Sequence, residues 1–186
     1  MRMNKTTFAV LAVMCAVPVS GIFAQRGAMS KTMVSTMDKT FIKAAAQGGM
    51  AEVNLSKLAV ERGGPAVKQF GQMMIEDHTK ANEELMGIAE SKKVVLPKTM
   101  KPDAVVAQKK MSKLNGVAFD KFYVAFMLKD HQKDVADFSK EAKMGKDEDV
   151  KGFAAKTLPV VQGHLTALKG MKSGGKISGK MMDHKM

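Results

Sequence analysis

Glu52, His78, His131 and His164 are ionisable residues set into apolar helical stripes, and they are where this chain could do chemistry. Glu52 is in phase with Phe41, Ala45, Leu55 and Ala59, and His78, next to Asp77, with Phe70, Met74 and Ala81. His131 follows Phe126 and Met127 with Asp130 and Asp134 close by, and His164 is in phase with Val161 and Leu168. A titratable group on a buried face is costly unless it is paired, hydrogen-bonded or bound to a metal. One carboxylate and three imidazoles form a donor set for Zn, Fe, Mn or Cu, with Asp77, Asp130 and Asp134 in support. The plainer reading makes Asp77–His78 and Asp130–His131 buried pairs that hold helix register.

Other chemistries are poorly supplied. The paired Glu-x-x-His signature of di-iron bundles is absent, which disfavours ferroxidase and oxygenase activity. There is no Gly-rich phosphate loop and no Ser-His-Asp grouping, and Cys15 is the single cysteine. No catalytic residue is assigned, and a non-enzymatic role leads.

Helices must position these groups. Ser35 and Asp38 form a capping signal, and 38–62 carries its apolar residues at helical spacing up to Gly63-Gly64-Pro65. A second helix runs from Ala66 to Lys92, with Val67, Phe70, Met74, Ala81, Leu85 and Ile88 inside. Pro97 and Pro102 bound a linker that leads into a short helix over 103–114. The third long helix is expected over 118–144, with Phe119, Phe122, Tyr123, Phe126, Met127 and Phe138 inward, and Gly145 as its cap. Asp147 opens the fourth, which runs to Lys172 with a kink expected at Pro159. Tight turns within each pair predict an all-α, antiparallel four-helix bundle, up-down-up-down or ferritin-like, with the short helix in the long connection between pairs. Glu52 and His78 lie about twelve and thirteen residues from the turn joining their helices, which puts them at similar heights. His131 and His164 are similarly level about the turn near Gly145.

Arg2 and Lys5 followed by apolar Phe8 to Val19 predict a signal peptide over 1–24, cleaved after Ala24. Cys15 leaves with it, so neither a disulfide nor a thiolate serves the mature chain, and no transmembrane span is expected there. Residues 25–37 read as a flexible lead-in, 38–172 as the bundle, and 173–186 as a flexible Lys/Met/His tail. The formal net charge of +12 is carried almost wholly by Lys. Lys lacks the planar fork that reads bases and clamps phosphates, so nucleic acid is not an expected partner. Anionic envelope polymers and a second copy of the chain are the partners left open.

The stretches FIKAAAQGGMAEVNLSKLAVERG, VKQFGQMMIEDHTKANEEL and FDKFYVAFMLKDHQKDVADFSKEAKMGKDEDVKGFAAKTLPVVQGHL resemble one bacterial family. It is a secreted ferritin-like domain of unknown function, often labelled an outer-membrane protein, and the resemblance covers residues 38–171. It implies a ferritin-like bundle in the periplasm or at the outer membrane and points to Glu52, Asp77, His78, Asp130, His131 and His164. It implies no activity.

Of the 18 methionines, Met50, Met73, Met74, Met86, Met127 and Met171 read as core fillers. Met29, Met33, Met37, Met181, Met182, His184 and Met186 offer soft donors that suit Cu(I) or Ag(I), although a Met-rich composition explains them more simply. Three functions follow. The first is an exported envelope protein that binds metal and acts in stress tolerance or metal handling. The second is a metalloenzyme of the bundle interior, with Glu52 or Asp134 as base. The third is an envelope interaction module that uses its Lys-rich surface.

Overall fold

A computed structural model describes residues 34–173. The expected signal peptide, the lead-in before residue 34 and the tail after residue 173 lie outside the described residues. Five helices and no strands make up what is described: α1 (Thr36–Arg62), α2 (Pro65–Ser91), α3 (Pro102–Met111), α4 (Gly116–Met144) and α5 (Glu148–Lys172). None of them is long and apolar enough to cross a membrane.

Local chemistry sets the ends. Ser35 caps α1: its hydroxyl accepts from Asp38 N at 3.1 Å while Asp38 accepts from Ser35 N at 2.8 Å. This reciprocal box draws Thr36 and Met37 into the first turn, so α1 starts earlier than Asp38. Pro65 and Pro102 occupy first turns, where a missing N–H costs nothing. The short helix ends at Met111 rather than Leu114. Gly116 opens α4 at φ +53°, a conformation open to glycine, so the helix begins there rather than at Ala118. Asp147 caps α5, accepting from Asp149 N at 3.1 Å and Val150 N at 3.3 Å. α5 continues through Pro159, which is exposed.

α1 packs chiefly on α2 and α4 on α5, with further contacts between α1 and α4 and between α2 and α5. The core divides into two apolar clusters. One gathers Leu55, Ala59, Phe70, Met74, Met111, Tyr123 and Met127, and the other Phe41, Ile42, Leu85, Phe138, Val150 and Phe153. Along α1 and α5 the chain passes from the second cluster to the first, and along α2 and α4 from the first to the second. The helices therefore do not alternate up-down-up-down. The connection from α2 to α4 returns along the molecule, packing Val94 and Leu96 on the second cluster and Ala107, Met111 and Leu114 on the first.

Most residues expected in the core are there, but Met86 is 53% exposed and is no core filler. Met111 is fully buried in its stead. Tyr123 lies in the first cluster with its hydroxyl 2.8 Å from Ser56 Oγ.

Candidate metal centre

In each long helix a buried ionisable residue sits where the two apolar clusters meet: Glu52 on α1, His78 on α2, His131 on α4 and His164 on α5. Their exposures are 3%, 7%, 0% and 2%. The imidazole rings touch one another, with centroids 5.7 Å apart for His78–His131, 5.2 Å for His78–His164 and 5.5 Å for His131–His164. One ring nitrogen from each falls within 4.8 Å of the other two.

Each ring is pinned through one nitrogen. His78 Nδ1 lies 2.9 Å from Glu52 Oε2, His164 Nε2 lies 2.9 Å from Asp77 Oδ2, and His131 Nδ1 lies 3.1 Å from the Met127 carbonyl. A carbonyl or an ionised carboxylate only accepts, so with Glu52 and Asp77 ionised each pinned nitrogen carries the hydrogen. The opposite nitrogens, His78 Nε2, His131 Nε2 and His164 Nδ1, then present lone pairs, and all three are buried with no hydrogen-bond partner. Burial lowers the pKa of each ring, which keeps it neutral; His131 is pushed furthest, with the neighbouring histidine charges adding to burial. Three orphaned acceptors in one place is an unusual cost for a folded core. A rigid neutral imidazole with its far N–H held by a carboxylate or carbonyl is also how metal-ligating histidines are oriented.

The geometry revises several sequence readings. Glu52 lies on the hydrogen-bonded edge of His78 through Oε2, which leaves Oε1 as the one donor atom it still offers. Asp77 reaches across to His164, not to its neighbour His78, because successive helical residues point about 100° apart. Asp130 forms no pair with His131 among the described contacts; it is half-buried and contributes only as a nearby charge. Asp134 joins Glu52 and His131 in a second cluster whose donor atoms lie within 4.8 Å of one another. Burial and the Asp130 charge push both carboxyls upward; the Glu52 charge raises Asp134 further, while a hydrogen bond from Asp134 holds Glu52 back. Sequence periodicity gave no sign of the Met127 carbonyl or of a small cavity, about 20 Å³, lined by Glu52, His78, Asp134, Gly48 and Thr157 among others. Backbone groups and voids carry no side-chain signature.

The fold and site together define an all-helical domain with a buried histidine triad between two apolar clusters. A crystal structure of a DUF305 fragment from Deinococcus radiodurans has a similar fold, with TM-score 0.68 and 12% identity over 76% of this chain and 98% of that one. The chain belongs to the family described as Domain of unknown function (DUF4142), whose model matches residues 23–171. No curated protein matches it.

Proposed function

We propose that this is an exported envelope protein whose ferritin-like, antiparallel four-helix bundle binds one transition-metal ion at His78, His131 and His164, serving metal handling or stress tolerance without catalysis. The observation that carries the metal reading is the set of three buried imidazole nitrogens that lack any partner while their opposite nitrogens are all pinned. Three neutral nitrogen donors suit Zn, Cu, Fe or Mn, and a fourth position stays free for water or another donor. The order in which the helices pass between the two clusters supports a ferritin-like up-down-down-up path. Export is supported by Arg2, Lys5 and the apolar run Phe8–Val19, with the family match beginning only at residue 23.

The test is metal content and melting temperature of the purified protein before and after chelation, then after loading with Zn, Fe, Mn or Cu. One stoichiometric ion that raises the melting temperature is expected, with the rise abolished in His131→Gln. A melting temperature indifferent to every metal would leave a structural triad and overturn the reading. A second reading, a metal-dependent activity, is favoured by the Glu52–Asp134 pair next to the triad. Turnover of peroxide by the loaded protein, lost in Glu52→Gln, would support it.

A further inference from the structure

We propose that Glu52 and Asp134 form a second cation site beside the histidine triad, built from oxygen donors and suited to a harder divalent ion such as Mn²⁺. It rests on the triad reading for its place in a two-ion centre, although its ligand atoms are different ones.

The two oxygens that would bind are already singled out. Glu52 Oε2 is taken by His78, which leaves Oε1, and Asp134 offers Oδ2; both atoms are buried and neither accepts from an N–H, the two carboxyls being close enough to share a proton. Glu52 itself is only 3% exposed. His131 completes the cluster within 4.8 Å but is no ligand to this second ion. Its Nδ1 donates to Met127 O and stands 3.5 Å from Glu52 Oε1, and its Nε2 is buried without a partner.

The surrounding side chains bear on the same place. Glu52, Asp77, Asp130 and Asp134 surround three neutral imidazoles, and among the described residues no Lys or Arg forms an ion pair with any of them. Lys101 and Lys133 act on them only from a distance. Two buried carboxylates this close repel unless a proton or a cation lies between them. Burial and neighbouring carboxyls push Glu52 up to about 8 and Asp134 up to about 9, so protons neutralise this pair near pH 7 and a divalent ion bound there takes their place.

There is also room. The cavity of about 20 Å³ beside the pair is enough for about one water molecule. Gly48 lines it, and a Cβ there would sit in ordinary contact, 4.0 Å from Asp134 Oδ1. Two carboxylate oxygens and water are a hard, sparse donor set, so this site binds more weakly than three imidazoles and is left to Mn²⁺, while Cu²⁺ and Zn²⁺ are drawn to the imidazoles.

The experiment uses the full purified chain, stripped of metal, loaded with one equivalent of Zn²⁺ and titrated with Mn²⁺ by electron paramagnetic resonance. One bound Mn²⁺ per chain is expected, and Asp134→Asn should weaken it at least tenfold while Zn²⁺ still binds. Putting Cu²⁺ in place of Zn²⁺ should broaden the bound Mn²⁺ signal, because the two ions are neighbours. Asp134→Ser serves as a second variant if the amide perturbs the helix, with circular dichroism confirming the fold of each. Zn²⁺ binding without Mn²⁺ binding overturns this inference and leaves the triad reading intact, the carboxyl pair then sharing a proton. Mn²⁺ binding unchanged in both Asp134 variants overturns it as well. Mn²⁺ binding that depends on Asp134, with no Zn²⁺ binding, keeps this site and overturns the triad. Binding of neither ion overturns both.

Discussion

His164 on α5 is held by Asp77 on α2, their Nε2 and Oδ2 atoms 2.9 Å apart, so a single contact ties two helices and chooses which imidazole nitrogen faces the triad. Asp77→Asn keeps the size of the side chain but removes its charge and weakens its acceptor. Metal affinity is expected to fall by about 10- to 100-fold, the usual cost of losing a carboxylate that orients a ligand histidine. Competition against a chromophoric chelator measures it. An unchanged affinity would mean that the tautomer of His164 does not matter to binding.

A second set of carboxyls predicts the response to alkali. At the corner where α1 begins and α4 gives way to α5, Asp38, Glu141 and Asp147 are all buried. Asp38 accepts from Lys146 N at 2.9 Å, and Lys92 Nζ lies 2.8 Å from Asp147 Oδ2. Burial, followed by the hydrogen bond and charge of Asp38, pushes Glu141 up to about 7. The folded protein thus keeps a proton on Glu141 that the unfolded chain loses near 4.5. The stability linked to that proton is fully present below about pH 4.5 and is lost as pH rises through about 7. Gln at this position donates at every pH. Glu141→Gln is therefore expected to match the parent at pH near 5 and to exceed it by about 1 kcal/mol or more, roughly 3 °C, near pH 8. Thermal melts at the two pH values decide it, and equal melting temperatures at both would contradict the assignment of the proton.

Two buried glycines should respond to alanine in opposite directions. At Gly48 a Cβ meets only Asp134 Oδ1, at 4.0 Å, an ordinary contact. Gly48→Ala should stabilise the metal-free protein by up to about 1 kcal/mol through helix propensity. At Gly71 a Cβ would come within 3.0 Å of Ala59 Cβ and of the Ser56 backbone oxygen, neither of which can rotate away. Gly71→Ala should cost about 1–3 kcal/mol by forcing α2 off α1. Denaturant unfolding of both variants tests the pair, and a stable Gly71→Ala would show that the spacing of α1 and α2 is softer than the contacts imply.

Tyr123→Phe removes the partner of the buried Ser56 hydroxyl, 2.8 Å away in the parent. A loss of about 1–2 kcal/mol is expected, since Ser56 is left without its hydrogen bond in an apolar cluster. The Tyr123→Phe, Ser56→Ala double variant should recover part of it. Failure of the double variant to do so would place the cost in packing, not in the hydrogen bond.

Helical periodicity alone put Glu52, His78, His131 and His164 on buried faces, because a period of 3.6 residues ties each position to its apolar neighbours regardless of what the face packs against. Counting residues from the Gly turns also set their heights, since rise per residue is constant. The same arithmetic could not orient a ring. Which imidazole nitrogen is pinned, and to what, depends on a partner that comes from another helix or from a carbonyl: Glu52 for His78, Asp77 for His164, Met127 O for His131. Sequence neighbours suggested Asp77–His78 and Asp130–His131 instead, but adjacent helical residues diverge. The direction of α4 was open for the same reason. A connection from Lys92 to Asn115 can either turn back at once or travel the length of the molecule, and only the packing of Val94 on one cluster and of Met111 on the other decides between them. Local sequence therefore determined the faces, heights and most helix ends, whereas contacts between segments far apart in the chain decided chain direction, ring orientation and the grouping of unpaired donors, because those depend on distances that no single helix sets.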